Sequence, residues 1–168
     1  MPVLQCQGLT KYYDSLCALD HLDLSVEPGR IVGLLGPNGS GKTTLIKLAN
    51  GLLQPSSGSI LIGGEVPSAK THAMVSYLPE RIALSGWMNT TQLLDFYQDF
   101  YADFRRDAAE HMLAQLQLPL KQTVKQMSKG TREKLQLILT MSRRAKLYLL
   151  DEPIGGVDPA TRDYILHT

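Results

Sequence analysis

Gly36-Pro37-Asn38-Gly39-Ser40-Gly41-Lys42-Thr43-Thr44 follows an apolar run at residues 31–35 and opens a helical pattern over residues 45–52. Strand, glycine-rich turn and helix in that order make the setting of a phosphate-binding loop. Gly36, Gly39 and Gly41 permit backbone conformations and close approaches that a Cβ would block. Successive backbone N–H groups can then point inward as an anion nest. A helix starting near Lys42 adds unpaired N–H groups and the positive end of its dipole. Lys42 would reach the outer phosphates of a nucleotide, the Thr43 hydroxyl would ligate Mg²⁺, and Thr44 would donate to phosphate.

Working outward, residues 3–7 read as a short strand and residues 8–14 as a turn bearing Tyr12 and Tyr13. Residues 18–26 alternate apolar and polar, as a half-buried antiparallel strand does. The run at 31–35 is apolar throughout, as expected of a strand buried on both faces. Further strands are expected at 59–62 and 74–78. Residues 89–118 read as helical, with Asn89 and Thr90 as N-cap candidates and Leu93, Leu94, Tyr97 and Tyr101 on one stripe. Asp107 is expected to cap a further helix, with Met112, Leu113 and Leu116 inward and Pro119 ending it. Ser128 is expected to cap another, with Leu135, Ile138, Leu139 and Ser142 forming its apolar stripe. Arg143, Arg144 and Lys146 then fall at its C-terminus, where the dipole favours cations. Asp158 and Pro159 read as N-cap and first residue of a last helix.

Residues 147–150, Leu-Tyr-Leu-Leu, form an apolar strand that runs into Asp151 and Glu152. A buried parallel strand delivers such carboxylates to its C-terminal end, where ligands sit in open α/β sheets. Asp151 would share the Mg²⁺ with Thr43. Glu152 would polarise a water for attack on the terminal phosphate.

Composition sets the outer limits. The chain has 168 residues, 43% apolar and 20% charged, with a net charge of +1. That is enough for one domain with a real core, and no strong field draws it to nucleic acid. Cys6 and Cys17 have no metal-like spacing and read as thiols of a reducing compartment. No basic-then-apolar leader opens the chain and no run approaches the ~18 apolar residues of a membrane span.

With both motifs in view, the chain resembles the nucleotide-binding domain of an ABC-type ATPase. Residues 36–44 resemble its Walker A motif, residues 147–152 its Walker B motif with the adjacent acid. Met127-Ser128-Lys129-Gly130-Thr131 stands where the family has its Leu-Ser-Gly-Gly-Gln signature, with Ser128 and Gly130 matching and Lys129 replacing the first glycine. The resemblance implies an α/β fold: a P-loop NTPase (RecA-like) parallel core, an N-terminal antiparallel β region and a helical subdomain. A single domain spans 1–168, with residues 1–78 and 145–168 as core and approximately 85–144 as the helical subdomain.

It also implies a site and a function. ATP and Mg²⁺ would be the cofactors. Tyr13 would stack on adenine, with Tyr12 its neighbour. Gly36, Pro37, Asn38, Gly39, Ser40, Gly41, Lys42, Thr43 and Thr44 would hold the phosphates, with Lys42 and Glu152 catalytic. Thr43, Asp151 and Glu80 would attend the metal, Glu80 standing where the family usually has glutamine. Ser128 and Gly130 would bind the γ-phosphate held by a second subunit, and residues 155–158 resemble the D-loop of the dimer interface. The function implied is an ATP-hydrolysing subunit of an ABC transporter, a homo- or heterodimer of such domains with transmembrane permease subunits as partners. It would sit in the cytoplasm at the inner face of the membrane. The aromatic stretch at 81–104 lies where the family meets its membrane partner. The family's switch histidine follows a strand beyond residue 168, so the chain reads as an N-terminal portion of a longer domain. Two alternatives stand beside this reading: a soluble ABC ATPase outside transport, and a nucleotide-binding remnant without turnover.

Overall fold

A computed structural model describes residues 1–30, 32, 41–79, 84–151 and 159–167, without the side chains at 162, 166 and 167. Of the expected strand at 31–35 only Val32 is described; it lies in no strand and is 49% exposed, where burial on both faces was expected. Most of the glycine-rich loop, Glu80, Glu152 and residues 155–158 lie outside the described residues. The described chain divides into two units, Met1–Val75 and Ser76–Thr168.

The first unit is built on an antiparallel sheet in the order β2-β1-β3, with β1 Leu4–Tyr13, β2 Leu16–Val26 and β3 Ser57–Ile62. Leu4 pairs with Val26 on one side and Ile62 on the other. Cys6, buried on the same face, pairs with Leu24 and Ile60. Strand β1 runs further than the sequence pattern suggested, because Gly8 is a bulge. With its φ of 56° it sits at the register shift between Cys6 and Leu9; before it alternate residues 4 and 6 are buried, after it the neighbours Leu9 and Thr10 are both buried. One inserted residue interrupts the inward–outward alternation, so the pattern that marks a strand is broken where the chain looked like a turn. The bulge packs closely on Gly58, whose added Cβ would collide with the Gly8 carbonyl. Its N–H donates to Asp23 Oδ1 at 2.7 Å. Helix α1, Lys42–Ala49, buries Leu45, Ile46, Leu48 and Ala49 in this unit. A single-turn helix, α2 Ala69–His72, was not apparent in the sequence.

The second unit holds β4 Val75–Leu78 (its first residue closing the first unit), β5 Leu147–Leu150 and helices α3 Thr90–Phe100, α4 Arg106–Gln115, α5 Lys129–Met141 and α6 Pro159–His167. Asp151 N–H donates to Leu78 O at 3.0 Å. The C-terminal ends of the paired strands β4 and β5 therefore lie together, as in a parallel sheet. Asn89 caps α3 in a reciprocal box with Gln92. The residue before α4 is Arg105, and Asp107 lies inside the first turn, where its charge suits the helix dipole instead of capping it. Helix α4 ends at Gln115, four residues before Pro119. Helix α5 is buried around its whole circumference from Leu135 to Thr140, not along one stripe. Its polar members are satisfied locally: Thr140 Oγ1 donates to Gln136 O at 2.8 Å and Ser142 Oγ to Ile138 O at 2.7 Å. Around it pack Leu93 and Leu94 of α3, Met112 and Leu113 of α4, and Ile165 of α6.

Candidate functional site

Gly41 is the N-cap of α1, with φ 93° and ψ 2°, a left-handed conformation that a side chain disfavours. A Cβ there would also collide with the Ala18 carbonyl oxygen. Glycine is therefore required twice over: it turns the chain into the helix and lets that turn lie against β2. Glycine as cap offers no side chain of its own to the first N–H groups of α1, and no acidic residue stands in its first turn. Lys42, Thr43 and Thr44 are half-buried in that turn. A helix start without capping side chain or carboxylate, carrying a lysine and two hydroxyls, is chemically suited to a phosphate.

Tyr13 ends β1, paired with Leu16 across the hairpin, with its ring 40% exposed. Lys11 Nζ stands 5.6 Å from its centroid. Tyr12, 47% exposed, is tied through its N–H to Ser56 Oγ at 2.9 Å. A hydrogen bond with Cys17 raises its phenol pKa. Both rings are open enough to stack on a planar ligand.

In the second unit Asp151 follows β5 directly and is 5% exposed. Ser128 caps α5: its Oγ accepts from Thr131 N–H at 3.2 Å and lies 2.8 Å from Thr131 Oγ1. Gly130 falls in the same first turn, and Lys129 is exposed, its Nζ 4.0 Å from Glu133 Oε1. Ser128, Gly130 and the Thr131 hydroxyl are thus gathered at one helix start. Thr131 was quoted in the motif without a role, and only its cap geometry draws attention to it. Glu80, Glu152 and residues 36–40 fall outside the described residues.

Hard oxygen donors suit Mg²⁺, which is commonly bound through one or two carboxylates together with phosphates and water. Thr43 and the buried Asp151 are donors of that kind. Among the described residues no three His, Cys, Asp or Glu side chains gather into a metal cage. No described helix is long and apolar enough to cross a membrane.

Arg143, expected among the cations at the C-terminus of α5, directly follows its C-cap Ser142. It is also buried, 5% exposed, and paired with Asp103 through Nε–Oδ1 at 3.0 Å and a second contact at 3.2 Å, a partnership the sequence does not signal.

The sequence pattern described as "ABC transporter" matches residues 19–155. The uncharacterised ABC transporter ATP-binding protein YdbJ of Bacillus subtilis (strain 168) is 37% identical over 166 residues, covering 95% of this chain and 53% of YdbJ. The SkfA peptide export ATP-binding protein SkfE of the same strain is 33% identical over 171 residues, covering 98% of this chain and 72% of SkfE. A solved structure of the ATP-binding subunit of an ABC transporter matches with a TM-score of 0.87 and 26% identity, over 98% of this chain and 72% of that one. The chain thus spans about half of YdbJ and under three quarters of SkfE. Its fold is the α/β P-loop fold of such cassettes.

Proposed function

The chain belongs to the ABC transporter family, and on that premise we propose that it binds and hydrolyses ATP to power a membrane transporter. It would work as a dimer with separate membrane subunits, in the cytoplasm at the inner face of the membrane. The observation that carries the reading is the start of α1: a glycine cap, no capping side chain, no acid in the first turn, and Lys42, Thr43 and Thr44.

In this reading residues 36–44 cradle the phosphates and Tyr13 stacks on adenine. Lys42 neutralises charge that builds on the outer phosphates as the bond breaks. Glu152 accepts a proton from the attacking water, whose oxygen bonds to the γ-phosphorus while the bridge oxygen leaves with ADP. Thr43, Asp151 and Glu80 would hold or orient Mg²⁺, which when bound would supply charge neutralisation. Ser128 and Gly130 complete the site of a second subunit by offering a hydroxyl and a helix start to its γ-phosphate.

The discriminating substitution is Glu152→Gln, which keeps size and removes the base. We expect hydrolysis to fall by 10²-fold or more while ATP binding persists. Turnover unchanged by Glu152→Gln would remove Glu152 from the mechanism.

A further inference from the structure

The aromatic end of α3 is tied to the start of β5 through one buried arginine. The Phe100 ring meets Tyr101 edge-on at 4.9 Å. The Arg143 guanidinium lies over Tyr101 at 4.0 Å from the ring centroid and is held by both Asp103 oxygens. Backbone bonds reinforce the join: Arg144 N–H donates to Asp103 O at 3.0 Å, and Arg105 N–H to Ser142 O at 2.7 Å. On its other side the Arg143 carbonyl accepts from the Tyr148 hydroxyl. Ala145 N–H donates to the same hydroxyl at 3.2 Å. Tyr148 is the second residue of β5, and Asp151 follows the strand's last residue.

We infer that Arg143 is a positioning residue. It fixes the start of β5, and thereby Asp151, against the segment that carries Tyr101 and Asp103. The physical reason is the shortness of the strand. β5 has four residues, Leu147–Leu150, so few ladder bonds of its own set where it ends. Asp151 N–H to Leu78 O holds one end, and the Tyr148–Arg143 corner holds the other. A planar guanidinium can clasp a carboxylate in two places and stack on a ring at the same time; a lysine ammonium, a point charge without that planar fork, cannot do both at once. Arg143 and Asp103 are 40 positions apart in the chain, so the clasp joins segments that local structure does not.

The consequence for chemistry rests on the reading of Asp151 as a metal-attending carboxylate, but the placement of the strand does not, and the test separates the two. Amide hydrogen exchange would be followed in the nucleotide-free protein for wild type, Arg143→Lys, Tyr148→Phe and the double variant. We expect exchange at Ala145 and Asp151 to quicken at least tenfold in each single variant. The double variant should show much less than the product of the two, because both changes cut the same link. The Leu113 and Leu116 amides at the far end of α4 serve as the control and should stay within about twofold. An Asp151 amide unmoved by either substitution, or one that quickens only in step with Leu113 and Leu116, overturns the inference. A second readout addresses the consequence. Arg143→Lys should raise the Mg²⁺ concentration for half-maximal hydrolysis several-fold, whereas a merely smaller folded fraction lowers the rate without moving that midpoint.

Discussion

Gly41 is the residue at which the demands of the fold meet those of the proposed ligand. Its left-handed φ of 93° and its contact with the Ala18 carbonyl each exclude a side chain. Gly41→Ala should destabilise the protein by about 1–3 kcal/mol, read from the denaturant midpoint, and weaken nucleotide binding further by shifting the start of α1. Tyr97 makes a different statement at the same scale. Burial, and then the neighbouring Tyr101, push its phenol from an ordinary value of 10.0 up to about 12, with Arg143 acting in the opposite sense. The unfolded chain therefore loses this proton first. Stability from Tyr97 is fully present below about pH 10 and is lost as pH rises towards 12, on the order of 2 kcal/mol in all. Burial of Cys6, which raises its thiol to about 11, adds the same sign of change from about pH 9 upward. Denaturant midpoints between pH 9.5 and 12 should fall less steeply in Tyr97→Phe, which keeps the ring and removes the ionising group.

At the scale of elements, what is local in the sequence was readable and what is distant was not. The caps of α3 and α5 were visible because Asn89 and Ser128 each act on an N–H group three residues away. The glycine-rich loop announced α1 for the same reason. The length of β1 was hidden by one bulge at Gly8, since a single inserted residue breaks the period on which strand reading depends. The burial of α5 on every side, and the pairing of Arg143 with Asp103, come from contacts across dozens of residues. Of the candidate site, the start of α1 at Gly41–Lys42 and the place of Asp151 at the end of β5 were legible in the sequence, because a glycine before a helical pattern and an acid after an apolar run are local signals. The Arg143 corner carries no motif.

Helix α5 also permits its cap and its proposed ligand role to be told apart. Ser128→Ala should cost about 0.5–2 kcal/mol through loss of the bond to Thr131 N–H. Ser128→Asp restores a good cap, so its stability should return to within about 0.5 kcal/mol of wild type. It also sets an anion where a γ-phosphate is proposed to lie, and hydrolysis should drop by tenfold or more. Hydrolysis that simply tracked stability across the two variants would leave Ser128 as a cap alone.

At the scale of the whole molecule, Gly41, Lys42 and Tyr13 belong to the first, sheet-based unit, and Asp151 and Ser128 to the second, helix-rich one. Family membership rests on a match over residues 19–155, which spans both units. The central claim is that the α1 start binds Mg-ATP, and thermal unfolding with and without saturating Mg-ATP tests it most directly. A ligand at ~100 times its Kd adds about 2.7 kcal/mol, or roughly 5–10 °C for a chain of this size. The melting temperature should rise by that amount in the wild type and stay unchanged in Lys42→Ala. An unchanged melting temperature in the wild type, or an equal rise in Lys42→Ala, would contradict the claim.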